Sequence, residues 1–109
     1  MAYDQGLAER CEDILQGTPG LIDKKMFGGI GYLLHGNMAC GVLNDNLIVR
    51  VGPDAYADAM SHDHTLPFDI TGHSMNGWVM VTPDGTSEDI ELKSWIESGL
   101  LFAETLTPK

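Results

Sequence analysis

One short stretch carries side chains able to hold a metal: 61-SHDHTLPFDITGH-73 contains His62, Asp63, His64 and His73. Two or three imidazoles with a carboxylate suit zinc when a loop folds back and brings them together. A His-x-His in a polar loop is as a rule solvated surface, however, and no Cys or Glu adjoins it. The expectation is no metal and no cofactor, with His62, His64 and His73 as the alternative ligand set. Nucleophilic chemistry has even less behind it. Ser74 follows His73 without a Gly-x-Ser-x-Gly elbow around it. Cys40, between Ala39 and Gly41, reads as an inert core thiol. The residues name no catalytic group and argue against an enzyme.

A second stretch, 24-KKMFGGIGYLLHGNMACGVL-43, packs five glycines and two lysines into an otherwise acidic chain. A phosphate-binding loop needs a strand before it and a helix after it, so that N–H groups and the helix dipole meet the anion. Here Gly28-Gly29-Ile30-Gly31 is followed by Tyr32-Leu33-Leu34 and a hairpin signal, so the glycines are structural. Glycines within strands mark bulges or close backbone approach. Gly28, Gly29, Gly31 and Gly41 are expected to form a trough for a helix carrying Trp95 and Phe102. Lys24, Lys25 and Arg50 form a candidate anion-binding or docking patch. The plainer reading pairs them with Asp23, Asp45 or Asp54.

Sixteen acids against six bases leave a net charge of −10. A protein that binds by neutralising phosphates shows a basic stripe, and these bases are scattered, so direct nucleic-acid binding is not expected. The 109 residues read as one domain, 1–109, without repeats or linkers. No apolar run is long enough to span a bilayer, and the N-terminal residues lack the apolar core of a secretory signal. With two unclustered cysteines, Cys11 and Cys40, the chain reads as cytoplasmic.

The elements that must position these residues follow from periodicity. Tyr3, Leu7, Cys11, Ile14 and Leu15 predict an amphipathic helix ended by Gly17, Pro19 and Gly20. Strands 25–34 and 37–43 flank a Gly36-Asn37 hairpin signal, and a turn at 44–46 leads to strand 47–51. A short helix runs from about 53 to 60, followed by strands 67–70 and 78–81. Helix 87–106 closes the chain, with Thr86 and Asp89 as an imperfect capping box. The order α-β-β-β-α-β-β-α predicts a two-layer α+β domain with about five antiparallel strands and about three helices.

Both faces of the expected sheet look apolar. Phe27 and Leu33 oppose Met26, Ile30, Tyr32 and Leu34; Met38, Cys40 and Val42 oppose Ala39 and Leu43; Trp78 and Met80 oppose Val79 and Val81. Either helices cover both faces or one is left for a partner, a second copy being the simplest. The candidate interaction residues are Lys24, Lys25, Met38, Arg50, Trp78 and Met80.

Five blocks carry a family resemblance: 2-AYDQGLAER-10, 24-KKMFGGIGYLLHGNMACGV-42, 49-VRVGPDAY-56, 68-FDITGHSMNGWVMV-81 and 94-SWIESGLLFAETLTPK-109. With them the chain resembles the N-terminal domain of the TfoX/Sxy competence-regulator family, as a single-domain member. The resemblance implies a small bacterial α+β unit with an antiparallel sheet. In longer members this domain joins a C-terminal helical domain, and those proteins promote competence genes alongside a cAMP-receptor-type activator. Where relatives often read G-R-P-M-K-G-W, this chain has 72-GHSMNGW-78 and lacks two positive charges. The leading expectation is a non-enzymatic regulatory or protein-interaction module, a homodimer or one docking an unidentified protein. Its rival is a small-ligand or metal-binding protein, an enzyme among the options, using the Lys25/Arg50 patch or the His62/His64/His73 loop.

Overall fold

The computed structural model describes residues 3–26, 28–69 and 74–109. The first helix, α1 (Gln5–Leu15), starts where the Asp4 carboxylate accepts the Leu7 N–H at 3.1 Å. That bond satisfies one of the donors a helix start leaves free. Tyr3, expected in the helix, lies before it in a bridge to Asn44. Four strands follow: β1 (Leu21–Met26), β2 (Gly29–Leu34), β3 (Asn37–Leu43) and β4 (Asn46–Arg50). Then come α2 (Tyr56–Met60), β5 (Thr65–Asp69), β6 (Ser74–Val81), a 3-10 turn (Pro83–Gly85) and α3 (Asp89–Glu104).

The fold is the expected α+β class, with one antiparallel sheet and helices layered on it. It has one strand more than expected, in the order α-β-β-β-β-α-β-β-α. The single strand read over 25–34 is two: β1 begins four residues earlier, at Leu21, and ends at Met26, and Gly28 at φ 78° lies before β2. The next hairpin turns at His35 (φ 51°) and Gly36 (φ 87°), one residue before the predicted pair. Both central residues of such a tight turn take positive φ. Asn37 instead starts β3, and its side chain donates to the Thr107 carbonyl at 2.9 Å. The capping box expected at α3 is absent: Thr86 Oγ1 donates to the Pro83 carbonyl, and the N-cap residue, Glu88, makes no side-chain bond. Arg10 reaches this end instead, donating to the Thr86 carbonyl at 2.8 Å and pairing with Asp89 at 3.0 Å.

The strands lie in the order β1-β2-β3-β4-β6-β5. One face holds Ile30, Tyr32, Cys40, Val42, Leu47, Val49, Val79 and Val81. These pack in a single core with Leu7, Cys11 and Leu15 of α1, Ala59 of α2, and Leu92 and Ile96 of α3. All three helices therefore bury their apolar stripes on the same side.

Three expectations about faces fail. Met26, grouped with Ile30, Tyr32 and Leu34, pairs with Gly29 and stands on the opposite face. Tyr32 pairs with Cys40 while Leu33 pairs with Met38, so Ala39 is an extra residue in β3. This bulge reverses the alternation: Met38 stands on the face opposite Cys40 and Val42, not beside them. Gly31 and Gly41 pair across the strands, but no helix settles on them. A Cβ on Gly41 would lie 2.8 Å from the Met38 Cε, and one on Gly31 3.1 Å from the Met26 Cε. The trough is filled by methionines. The close helix approach occurs on the other side, where Gly99 of α3 rests on the Ala39 carbonyl with no room for a Cβ. Phe27, also assigned to a face, lies outside the described residues.

Candidate functional site

Among the described residues no helix packs on the second sheet face. Register places Lys24, Gly31, Gly41, Ile48, Met80 and Leu66 in one row across it. Ile48 is nevertheless buried, because Met26, Met38, Leu43 and Phe68 close round it and leave a crevice of only about 20 Å³. Flexible thioethers fill irregular gaps well, and here they shield the strand without a second layer. At the margins the shielding stops. Leu66 is 47% exposed and Ile22 58%, and Met26, Met38, Trp78 and Met80 are half-buried. The Met80 sulfur also accepts the Asn46 amide at 3.4 Å.

Of the candidate cations, Arg50 stands over two aromatic rings. Its guanidinium lies 5.1 Å from the Trp78 ring centroid and 5.5 Å from that of Phe102. Phe102 comes this close because Gly52, at φ 90°, has no Cβ to block its ring. The Gly77 carbonyl in turn accepts the N–H groups of Val51 and Gly52, at 2.8 and 3.0 Å. Two sequence blocks far apart in the chain, Val-Arg-Val-Gly-Pro and Asn-Gly-Trp, thus form one corner that clamps Arg50. Lys24 and Lys25 stand exposed on β1, three strands away, about 14 Å by strand spacing. The structure does not gather the three cations into one patch. Nor does it pair them with Asp23, Asp45 or Asp54: the ion pair among the described residues is Arg10–Asp89.

The described histidines of the loop, His62 and His64, line one cavity with Asp63 and Glu91 but are held in different settings. His62 meets Trp95 edge-on at 5.3 Å, whereas His64 turns the chain at φ 69° and its carbonyl accepts the Thr82 N–H at 2.9 Å. His73 lies outside the described residues. Among the described residues no three His, Cys, Asp or Glu side chains are placed to hold a metal. Both thiols are buried and free. Burial pushes Cys11 up to about 12 and raises Cys40 as well, so neither is a thiolate nucleophile near neutral pH. Tyr32 is raised by burial and by its 2.9 Å hydrogen bond to Glu12.

Residue patterns missed one concavity. A groove of about 450 Å³ runs between α2 and α3, with Val51, Ala59, Trp95 and Phe102 along it and Asp58 and Glu91 at its lip. That volume is within the range of small-molecule sites. The available signal was Glu91, Trp95, Ser98, Phe102 and Thr105, which recur every three or four residues and so share one side of α3. The groove offers apolar contact, the His62 imidazole and carboxylates, with no lysine or arginine among its lining residues.

Fold and surface together define a small α+β domain whose sheet has one helix-covered face and one helix-free face. Residues 13–103 match the TfoX N-terminal domain family, and the chain belongs to it. The resemblance read from the Lys-Lys-Met-Phe-Gly-Gly and Val-Arg-Val-Gly-Pro blocks is therefore borne out. No curated protein and no solved structure matches the chain. Among the described residues no helix is long and apolar enough to cross a membrane.

Proposed function

We propose that this domain is a non-enzymatic interaction module that meets a protein partner through the helix-free face of its sheet. Membership of the TfoX N-terminal domain family supports a competence-regulator-like role. The observation that carries the reading is the one-sided placement of the helices, which leaves Met26, Met38, Trp78, Met80 and Leu66 as an apolar surface bounded by Lys24 and Arg50. Apolar surface of this kind, with charge at its rim, is where partners dock. Thioether side chains suit the task, since they repack against different shapes. The cytoplasmic setting expected from the sequence accords with a protein acting through contacts.

A photo-crosslinking residue at Leu66, on the helix-free face, is expected to trap a discrete protein from cell lysate. The same residue at Ile90, 78% exposed on α3, is expected not to trap it. Equal capture from both positions, or none from Leu66, would remove the reading.

A further inference from the structure

The two strands that end the sheet present very different edges. β5 is five residues long, contains Pro67, which has no N–H to offer, and slips register between Pro67 and Asp69. Those are the usual defences of an edge strand. β1 has neither. It runs in unbroken register with β2 from Leu21 to Met26, and among the described residues its outer side meets no other strand. Ile22, Asp23, Lys24 and Lys25 are all exposed along it. Lysines on an edge ordinarily deter a further strand. Their position relative to Asp23 makes that deterrence selective.

An antiparallel pairing of β1 with its own copy has a two-fold axis perpendicular to the sheet, so each residue faces the same side in both copies. Residues directly opposite each other also share a side. Only registers centred on a residue meet both conditions. Centring on Asp23 sets two aspartates against each other and places Ile22 opposite Lys24 and Leu21 opposite Lys25. Centring on Lys25 sets its charge against itself and leaves Asp23 with no described partner. Centring on Lys24 is different. Asp23 then faces Lys25 of the second copy, twice by symmetry, on the helix side. Ile22 faces Met26, also twice, on the helix-free side. The cost is one Lys24–Lys24 approach on the open face, where long side chains can diverge into water. Two opposite-charge pairs and two apolar pairs outweigh a single like-charge pair when each contributes similarly.

We propose that β1 pairs antiparallel with β1 of a second copy, in register about Lys24, joining the two sheets into one. The chemistry of the contact is main-chain hydrogen bonding along five residues, Ile22 to Met26, with the Asp23–Lys25 pairs selecting register and partner. The axis keeps both helix-free faces on the same side. The pair therefore presents a doubled, two-fold symmetric docking surface with Lys24 at its centre. The contact is independent of the docking face proposed above, and photocapture at Leu66 can fail without affecting it.

Sedimentation equilibrium on the full chain, up to about 1 mM, tests the pairing. The wild-type protein is expected to approach twice the monomer mass. Asp23→Lys or Lys25→Asp alone turns two attractive pairs into two repulsive ones and should weaken association about tenfold or more. The double exchange D23K/K25D restores opposite charges across the axis and should return it close to the wild-type value. Lys24→Thr should strengthen it. All three positions are exposed, so circular dichroism should show each variant folded. A wild-type monomer throughout the range would overturn the proposal. So would a dimer indifferent to the single reversals, or a double exchange that fails to rescue. A dimer lost in Met80→Glu but not in the charge variants would move the contact to the sheet face and overturn it too.

Discussion

The two faces of this sheet are made from the same strands and solve burial differently. The covered face uses Val, Ile, Leu and Cys, residues with few rotamers, against three helices, and its closest approach is set by the Gly99–Ala39 contact. The helix-free face uses methionines over paired glycines, and it shields Ile48 with side chains from its own sheet. Rigid packing specifies one structure; thioether packing leaves a surface that can adapt. The first face makes the fold, and the second is left available for contacts.

The comparison can be pressed hardest by truncation. Ile96→Ala removes a fully buried side chain from the covered face, where the helix cannot settle further. It should cost about 3–4 kcal/mol in urea unfolding. Ile48→Ala, nearly as buried, should cost only about 2 kcal/mol, because Met26 and Met38 can swing into the space. Equal losses would mean that the methionines are as fixed as the helix core.

Alkali provides a second, smaller contrast, because the buried titrating groups all sit on the covered face. Burial keeps Cys11, Cys40 and Tyr32 protonated in the fold, whereas the unfolded chain ionises them from their ordinary values of 9.0 and 10.0. The unfolded state then releases protons first, so stability falls as pH rises above about 9 and is unchanged by these groups below it. Each can remove up to about 1.4 kcal/mol per pH unit while its folded form holds the proton. Urea midpoints measured from pH 8 upward, about one unit apart, should show the decline, and Cys40→Ala should make it shallower. A flat profile would mean these groups are not shielded.

The smallest stability effect belongs to the open face. Met80→Glu, at a half-buried position, should change the unfolding free energy in urea by about 0.5 kcal/mol or less while abolishing the Leu66 photocapture. A large loss of stability would make Met80 part of the core rather than part of a surface.

Much of this architecture was legible in the chain. Apolar spacing located both long helices, and turn residues located the hairpins on either side of β3 to within a residue, though not the one between β1 and β2. The missing strand, β1, lies at the sheet margin where Ile22 to Lys25 are exposed on both faces, so its sequence carries no alternating stripe. The bulge at Ala39 was hidden for a different reason. One extra residue sets Met38 on the face opposite Cys40 and Val42, and nothing in Met-Ala-Cys distinguishes it from a regular strand. The surroundings of Arg50 depend on Trp78 and Phe102, brought in from elsewhere in the chain, and so could not be read from its neighbours. The cations were visible as residues but not as a geometry, since Lys24 and Arg50 lie three strands apart.

The strand order has a consequence for how the chain finds its fold. From β1 to β4 each strand pairs with the next, across turns such as Met26 to Gly29, and these hairpins can close early. The seam between β4 and β6 is not local: Val49 meets Val79, thirty residues further on. Closing such a loop costs about 2 kcal/mol more entropy than closing a hairpin of four. Gly77 locks that seam by accepting from Val51 and Gly52, so the corner that holds Arg50 is also the latch of the sheet. Until the latch closes, β5 and β6 have no sheet to join, and the two faces are completed in the same step.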